Sequence, residues 1–392
     1  MSPKGICFAA KGESKHCGEG HENSAGAHKR SRWHGPCIIL RMNIDPPTNL
    51  FLRANTRVVT VHKPPAPLYG SARSAPLRTA AMFALAVAAC AAHAQQYPVK
   101  TIRVIAPFAP GGGADFMGRL TSQHLTELVG QTVVVENRVG AAGIIGYDFG
   151  LKAPPDGYTL TVVSTTYSIL PSLYKLPYDP VKDMQPIIQF SRGPYIVAVH
   201  PSLPVKNIKE LIALAKAQPN TINYASSGTG ANVHLVTEMF TSMTGTKMVH
   251  IPYKGTGPGV VDTIAGQTSL VFGSMSSVMS YVRAGRLRAL AVTSANRNPA
   301  APEIPTVIES GVPGYDTFDW QGIVAPRGVP RAVVDRLNTE YAKILRGKDV
   351  SERLLKDGIV ATPSTPEEFG AFIAHEIEVV RKIVAQAGIK VE

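Results

Sequence analysis

From residue 97 onward the chain alternates between two hydrophobic patterns. Short, nearly continuous apolar runs at 101–108 (TIRVIAPF), 132–136 (TVVVE), 158–164 (YTLTVVS) and 195–199 (YIVAV) predict strands. Further strands are expected at 221–225, 247–251, 268–272 and 287–293. Between them, apolar residues recur every three or four positions, the helical period. Met117, Leu120, Leu125 and Leu128 lie near one face of a helix over 114–129, and Val233, Val236, Phe240 and Met243 mark another over 231–244. Asn207, with Glu210 three residues on, predicts the capped start of a helix over 208–217. In the last quarter Val334, Leu337, Tyr341 and Ile344 line a helix that stops at Gly347. Thr365-Pro366-Glu367-Glu368 starts a further one, with Phe369, Ile373, Ile377, Val380 and Val384 as its buried stripe.

Alternating strands and helices imply an α/β architecture with mostly parallel strands. Two stretches, near 192–200 and 315–325, combine glycine, proline and aromatics with strand-like runs. Chain crossings there would give two lobes and a cleft, one lobe from 95–196 with 320–392 and the other from 197–319. Asp319-Trp320 sits at the return crossing, as a hinge packing element or an apolar lid.

Composition sharpens this picture at the N-terminus. The chain has 392 residues, 44% hydrophobic and 17% charged, enough for two globular domains of about 150 residues. The formal net charge is +12, of which residues 1–94 carry +8. The remainder is nearly balanced, so a nucleic-acid face is not expected. Cys7, Cys17, Cys37 and Cys90 all precede residue 95, which excludes disulfides, thiolate metal sites and cysteine catalysis from the main body. Residues 80–92 (AAMFALAVAACAA) form an apolar run too short for the roughly 20 residues a bilayer needs. With Arg73 and Arg78 before it and Ala92-His93-Ala94 after it, it reads as a secretory signal cut after Ala94. A lipoprotein signal at Cys90 is the alternative. Residues 1–70 show no sustained period, as a start codon set too far upstream or an extension without its own fold would. The mature chain is expected in the periplasm.

The candidate chemistry lies in a unit that occurs twice. Strand 101–108 runs into Ala109-Pro110-Gly111-Gly112-Gly113 and a helix opening at Ala114-Asp115. A second strand runs through Ser226 into Ser227-Gly228-Thr229-Gly230 and a helix opening at Ala231-Asn232. Glycine lets backbone N–H groups approach a ligand. A helix start adds about half a positive charge and unpaired donors, so two such loops on opposite lobes would grip an anion. A third polar loop, Ser164-Thr165-Thr166, would add hydroxyls. Neither glycine loop is a P-loop or a dinucleotide fingerprint. Asp115 reads first as a helix cap, otherwise as a group that orders the loop or meets a ligand. His234 reads first as a packed histidine, and Lys254 as either a solvated lysine or a cationic wall of the cleft. The five histidines after residue 94 show no metal-ligand spacing, and no nucleophile elbow or carboxylate pair stands out. No metal and no cofactor are expected.

An ordered set of motifs then carries a family resemblance. These are YPVKTIRVIAPFAPGGGAD at 97–115, ENRVGAAG at 136–143, PDGYTL at 155–160, SSGTG at 226–230 with His234, PYKG at 252–255, AGRLRALAVTS at 284–294 and WQGIVAPRG at 320–328. The stretch from Tyr97 to about Gly388 resembles the substrate-binding receptors of tripartite tricarboxylate transporters, the Bug-type periplasmic proteins. The resemblance implies a two-lobed type II periplasmic-binding-protein fold that closes on a small carboxylate or amino acid, without catalysis. It implies a ligand site at Phe108, Ala109, Gly111, Gly112, Gly113 and Asp115, and at Ser226, Ser227, Gly228, Thr229 and Gly230. Ser164, Thr165, His234 and Lys254 join as neighbours. It implies a monomer that serves membrane transporter subunits. Gly273 stands where the family commonly has an acidic residue, and Val139 replaces a common proline. The first departure favours a simple carboxylate over an amino acid. An enzyme on the same fold, or a sensor without a transporter, remains the alternative.

Overall fold

The computed structural model describes residues 97–387; the signal segment and cleavage site expected at 80–94 lie outside the described residues. β1 (Ile102–Ala106) leads to α1 (Gly113–Val129), β2 (Val133–Asn137), α2 (Ile144–Leu151), β3 (Thr159–Ser164) and α3 (Thr165–Leu173). The long β4 (Met184–Val199) precedes α4 (Ile208–Ala217), β5 (Asn223–Ser226), α5 (Asn232–Thr244), β6 (Val249–Pro252), α6 (Thr256–Ile264), β7 (Leu270–Ser274), α7 (Met275–Arg283) and β8 (Arg288–Val292). The chain ends through β9 (Phe318–Pro326), α8 (Arg331–Arg346), α9 (Lys348–Lys356), the short β10 (Val360–Ala361) and α10 (Pro366–Ala387).

Two parallel trios form the hearts of the lobes. β1 pairs in parallel with β2 and β3, and β5 pairs in parallel with β6 and β7. Antiparallel strands join them: β9 lies beside β3, and the first part of β4 beside β9. The second part of β4 runs between β7 and β8. Its partner changes between Pro194, opposite Phe318, and Tyr195, opposite Ser274. β4 is therefore shared by the two lobes, and β9 runs back alongside its crossing. This is a two-lobed, periplasmic-binding-protein-like α/β fold.

The local reasons are visible in the sequence. All six residues of β3 are buried, as a strand covered on both faces requires, and its run reads as continuous rather than alternating. Asn207 caps α4 by accepting from the Glu210 N–H at 2.9 Å, while Glu210 receives the Lys206 N–H at 2.7 Å. Trp320 is fully buried and meets Phe369 and Phe372 of α10 edge-on at 5.9 and 5.2 Å. It is a packing element of the crossing and not a lid.

Two expectations change. The strand expected at 195–199 is the end of a 16-residue strand. Pro186, Gly193 and Pro194 break the pattern upstream, and register shifts between Pro186 and Ile188 and between Gln189 and Ser191 absorb the irregularity. Thr165 and Thr166, expected in a loop, form the first turn of α3. Their hydroxyls serve as contacts from the start of a helix.

Candidate functional site

Five helices begin at one enclosed cavity between the two sheets. Its wall takes Gly112, Gly113 and Ala114 from the start of α1, Ser164 at the N-cap of α3, and Asn232 from α5. Thr256 from α6 and Ser274 at the N-cap of α7 complete the set of helix starts. The N-caps of α1, α3, α6 and α7 make no side-chain bond to their helix backbone. Each leaves orphan N–H groups and a partial positive charge at the cavity end. Phe108, Tyr195, Ser227, Asp319 and Gln321 close the wall. The enclosed volume is about 20 Å³, the room of a single water molecule, because the lobes touch around it.

Those touches are specific. The Ala109 N–H donates to the Lys254 carbonyl at 2.9 Å. The Asn232 N–H donates to Thr166 Oγ1 at 3.1 Å, and Tyr174 Oη donates to the Thr229 carbonyl at 2.9 Å. The 110–111 backbone packs on Gly257, where a Cβ would collide with the Pro110 carbonyl. The first glycine loop therefore faces 253–257 most closely, rather than 228–230. The second loop meets it through Phe108 and Ser227, which line both the inner cavity and an outer pocket of about 300 Å³. Gly228, Thr229, Lys254, Tyr174 and the 140–143 turn wall that outer pocket. Ala141 and Ala142 hold left-handed conformations there, with φ of 46° and 51°.

One carboxylate sits at the centre. Asp319, on β9, is 5% exposed. Its Oδ1 accepts from Thr165 Oγ1, Tyr195 Oη and Asn232 Nδ2, each at 3.2 Å. Oδ2 accepts from Gln321 Nε2 at 2.6 Å and lies on the side of Gly113, where a Cβ would stand 3.3 Å from it. Gln321 is held in turn by the Ser191 hydroxyl at 2.8 Å. Burial pushes the Asp319 carboxyl up to about 6, against the lowering pull of its four hydrogen bonds.

The remaining expected residues support the loops. Asp115 is buried beside the cavity, not in its wall. It accepts from the Gly111 N–H at 3.1 Å, Arg119 Nε at 3.0 Å and Asn137 Nδ2 at 2.9 Å. Burial works upward on its carboxyl, but these bonds hold it below the usual carboxylate range. Its role is to order the loop. His234 accepts from the Gly230 N–H at 3.1 Å through Nδ1 and stacks on His250 at 4.0 Å. His250 Nε2 meets Ser226 Oγ at 2.5 Å, and Ser226 Oγ also accepts the Gly228 N–H at 3.1 Å. Burial lowers both histidines to about 4, so they brace the second loop in neutral form. Thr165 reaches Asp319 instead of the cavity. Tyr195, Asn232, Thr256, Ser274 and Gln321 were not singled out by the sequence; three of them open helices or strands whose positions only the fold brings together. A larger groove of about 660 Å³ runs between the lobes beside this cavity. Its walls are α1 with Arg353 of α9 on one lobe and α6 with α7 on the other; its Arg119 is already paired with Asp115, and Arg353 lies over the Phe116 ring.

The fold and this convergence of helix starts define a two-lobed ligand-capturing protein. Residues 117–389 match the tripartite tricarboxylate transporter family receptor, and the chain belongs to that family. BugT of Bordetella pertussis is 35% identical over 76% of this chain and 93% of its own. A Rhodopseudomonas palustris protein solved with adipate superposes with a TM-score of 0.72 at 34% identity, covering 75% of this chain and 99% of that one. MatC of the same organism, solved with bound malate, gives a TM-score of 0.70 at 27% identity, with 74% and 100% covered.

Proposed function

We propose that this chain is an exported solute-binding receptor. It captures a small organic carboxylate between its lobes, 95–196 with 320–392 and 197–319, and presents it to the membrane subunits of a tripartite tricarboxylate-type transporter. The signal at 80–94 directs it to the periplasm, where it works as a monomer and binds without turnover. One observation carries the reading: a cavity at which five helices start, with no lysine, arginine or histidine in its wall. Backbone and hydroxyl donors, rather than a cationic side chain, receive the anion. The adipate and malate in the two R. palustris relatives support the ligand class.

The energetics fit such a site. Micromolar binding corresponds to about 8 kcal/mol. An exposed helix start gives roughly 0.3–1 kcal/mol, and up to about 2 when partly buried. Hydrogen bonds to the charged carboxylate, at roughly 1.5–3 kcal/mol each, supply the rest. Gly112, Gly113, Ser164 and Ser227 are placed for the ligand carboxylate, and Gly228, Thr229 and Lys254 for its far end in the outer pocket. Acetate, malate and adipate, each tested by calorimetry and thermal shift, check the reading. At least one should bind, raise the melting temperature and be recovered unchanged. No binding by any of the three, or chemical conversion of one, overturns it.

A further inference from the structure

The cavity assembles partial positive charge for an anion and already contains one. Among its lining residues Asp319 is the single ionisable acid, and no cationic side chain faces it. The nearby titratable groups are neutral: Tyr195 on β4 and Tyr147 on α2 are phenols that burial raises above their ordinary value. α1 brings its Gly113 backbone, α3 Thr165, α5 Asn232 and α7 Ser274, none of which ionises. Behind the second loop, His234 on α5 and His250 on β6 are held neutral. On α1, Asp115 is committed to Arg119. A ligand carboxylate entering the cavity would thus stand beside the Asp319 carboxylate in a nearly closed, water-poor space. Two anions so placed do not both stay ionised.

We propose that Asp319 makes ligand capture proton-linked: one proton from solvent is taken up with each carboxylate and rests on Asp319 Oδ2, which donates it in a hydrogen bond to the ligand. The geometry selects that oxygen. Oδ1 already accepts from three donors, whereas Oδ2 accepts from Gln321 alone and faces the start of α1. The balance is simple, because an O–H bond forms at Oδ2 and the buffer supplies the proton. Burial already lifts this carboxyl toward neutrality in the ligand-free protein, so the linkage falls in the physiological range. Asp319 then sets specificity as well. A ligand with an ammonium group beside its carboxylate would pair with ionised Asp319 and need no proton.

This inference rests on the carboxylate reading above, and calorimetry separates the two. The titrant is the tightest binder among acetate, malate and adipate, in buffers of different ionisation enthalpy at pH 7.5. If none binds, the carboxylate reading fails and this proposal fails with it. If one binds, close to one proton should be taken up per ligand, and Kd should weaken about tenfold per pH unit from pH 6.5 to 8.5. Asp319→Asn should take up no proton, bind with a flat pH profile and bind more tightly than wild type at pH 8.5. Binding without proton uptake overturns the proposal, as does proton uptake that persists in the variant. A variant that binds more weakly at every pH also overturns it, because the Asp319 carboxyl would then support the bound carboxylate without a proton of its own. If the variant does not fold, the wild-type proton count decides.

Discussion

Two buried titratable side chains and one half-buried one give the ligand-free protein a pH profile whose sign can be worked out. Asp319 is raised from 3.8 to about 6. Its stabilising contribution is fully present below the ordinary carboxylate value and is lost as pH rises through about 6. His234 and His250 are lowered from 6.5 to about 4. Their contribution is present above the ordinary imidazole value and is lost as pH falls through about 4. Two groups oppose one, so chemical denaturation should show net loss of stability from pH 6.5 to 4. Asp319→Asn removes the opposing member. It should be more stable than wild type at pH 7–8, by at most about 3 kcal/mol, and the gap should close below pH 4. A variant less stable at pH 8 would show that the four hydrogen bonds to the carboxylate outweigh its burial. The glycine-rich loops and their hydroxyls were legible as residues. Asp319 was legible only as a position, because nothing local tells that Thr165, Tyr195, Asn232 and Gln321 converge on it.

At the scale of elements, periodicity served well where an element is amphipathic or buried throughout. α1, α4 and α5 appear within a residue or two of expectation. It did not reach α2, α6, α7 or α9, and at α6 the reason is that punctuation residues lie inside the element. α6 begins Thr256-Gly257-Pro258-Gly259 and reads as a turn, yet proline is acceptable in a first helical turn. That same glycine carries a prediction. Gly257 is absent from the residues with positive φ, so alanine there suits the backbone of α6. Its Cβ would collide with the Pro110 carbonyl and crowd the Gly111 backbone across the cleft. Gly257→Ala should fold normally but hold the lobes apart. Small-angle scattering should give a larger radius of gyration in the presence of ligand, and Kd should weaken at least about tenfold, or about 1.4 kcal/mol. Wild-type affinity would show that full contact at 110–257 is not needed for capture.

Across the whole molecule, the two crossings leave the lobes unequal in how the chain builds them. The β5–β8 sheet is drawn from one continuous stretch, 195–292. The other sheet needs β1–β3, then waits for β9 and β10, with α10 packed on α3 and β4. A chain that emerges N-terminus first can finish the second sheet while the first still lacks its closing strand. Pulse-labelled hydrogen exchange during refolding should then find amides of Tyr224 and Val271 protected before those of Val104 and Val162; simultaneous protection would show that the sheets form as one unit. The order has a biological edge. Until β9 docks, Thr161–Ser164 of β3 present an unpaired margin of residues that are buried in the finished fold, a ready template for another chain. The strand that delivers the central carboxylate is thus also the one whose arrival ends the protein's exposure to aggregation. Sequence change at 318–326 is answerable to folding yield as well as to ligand choice.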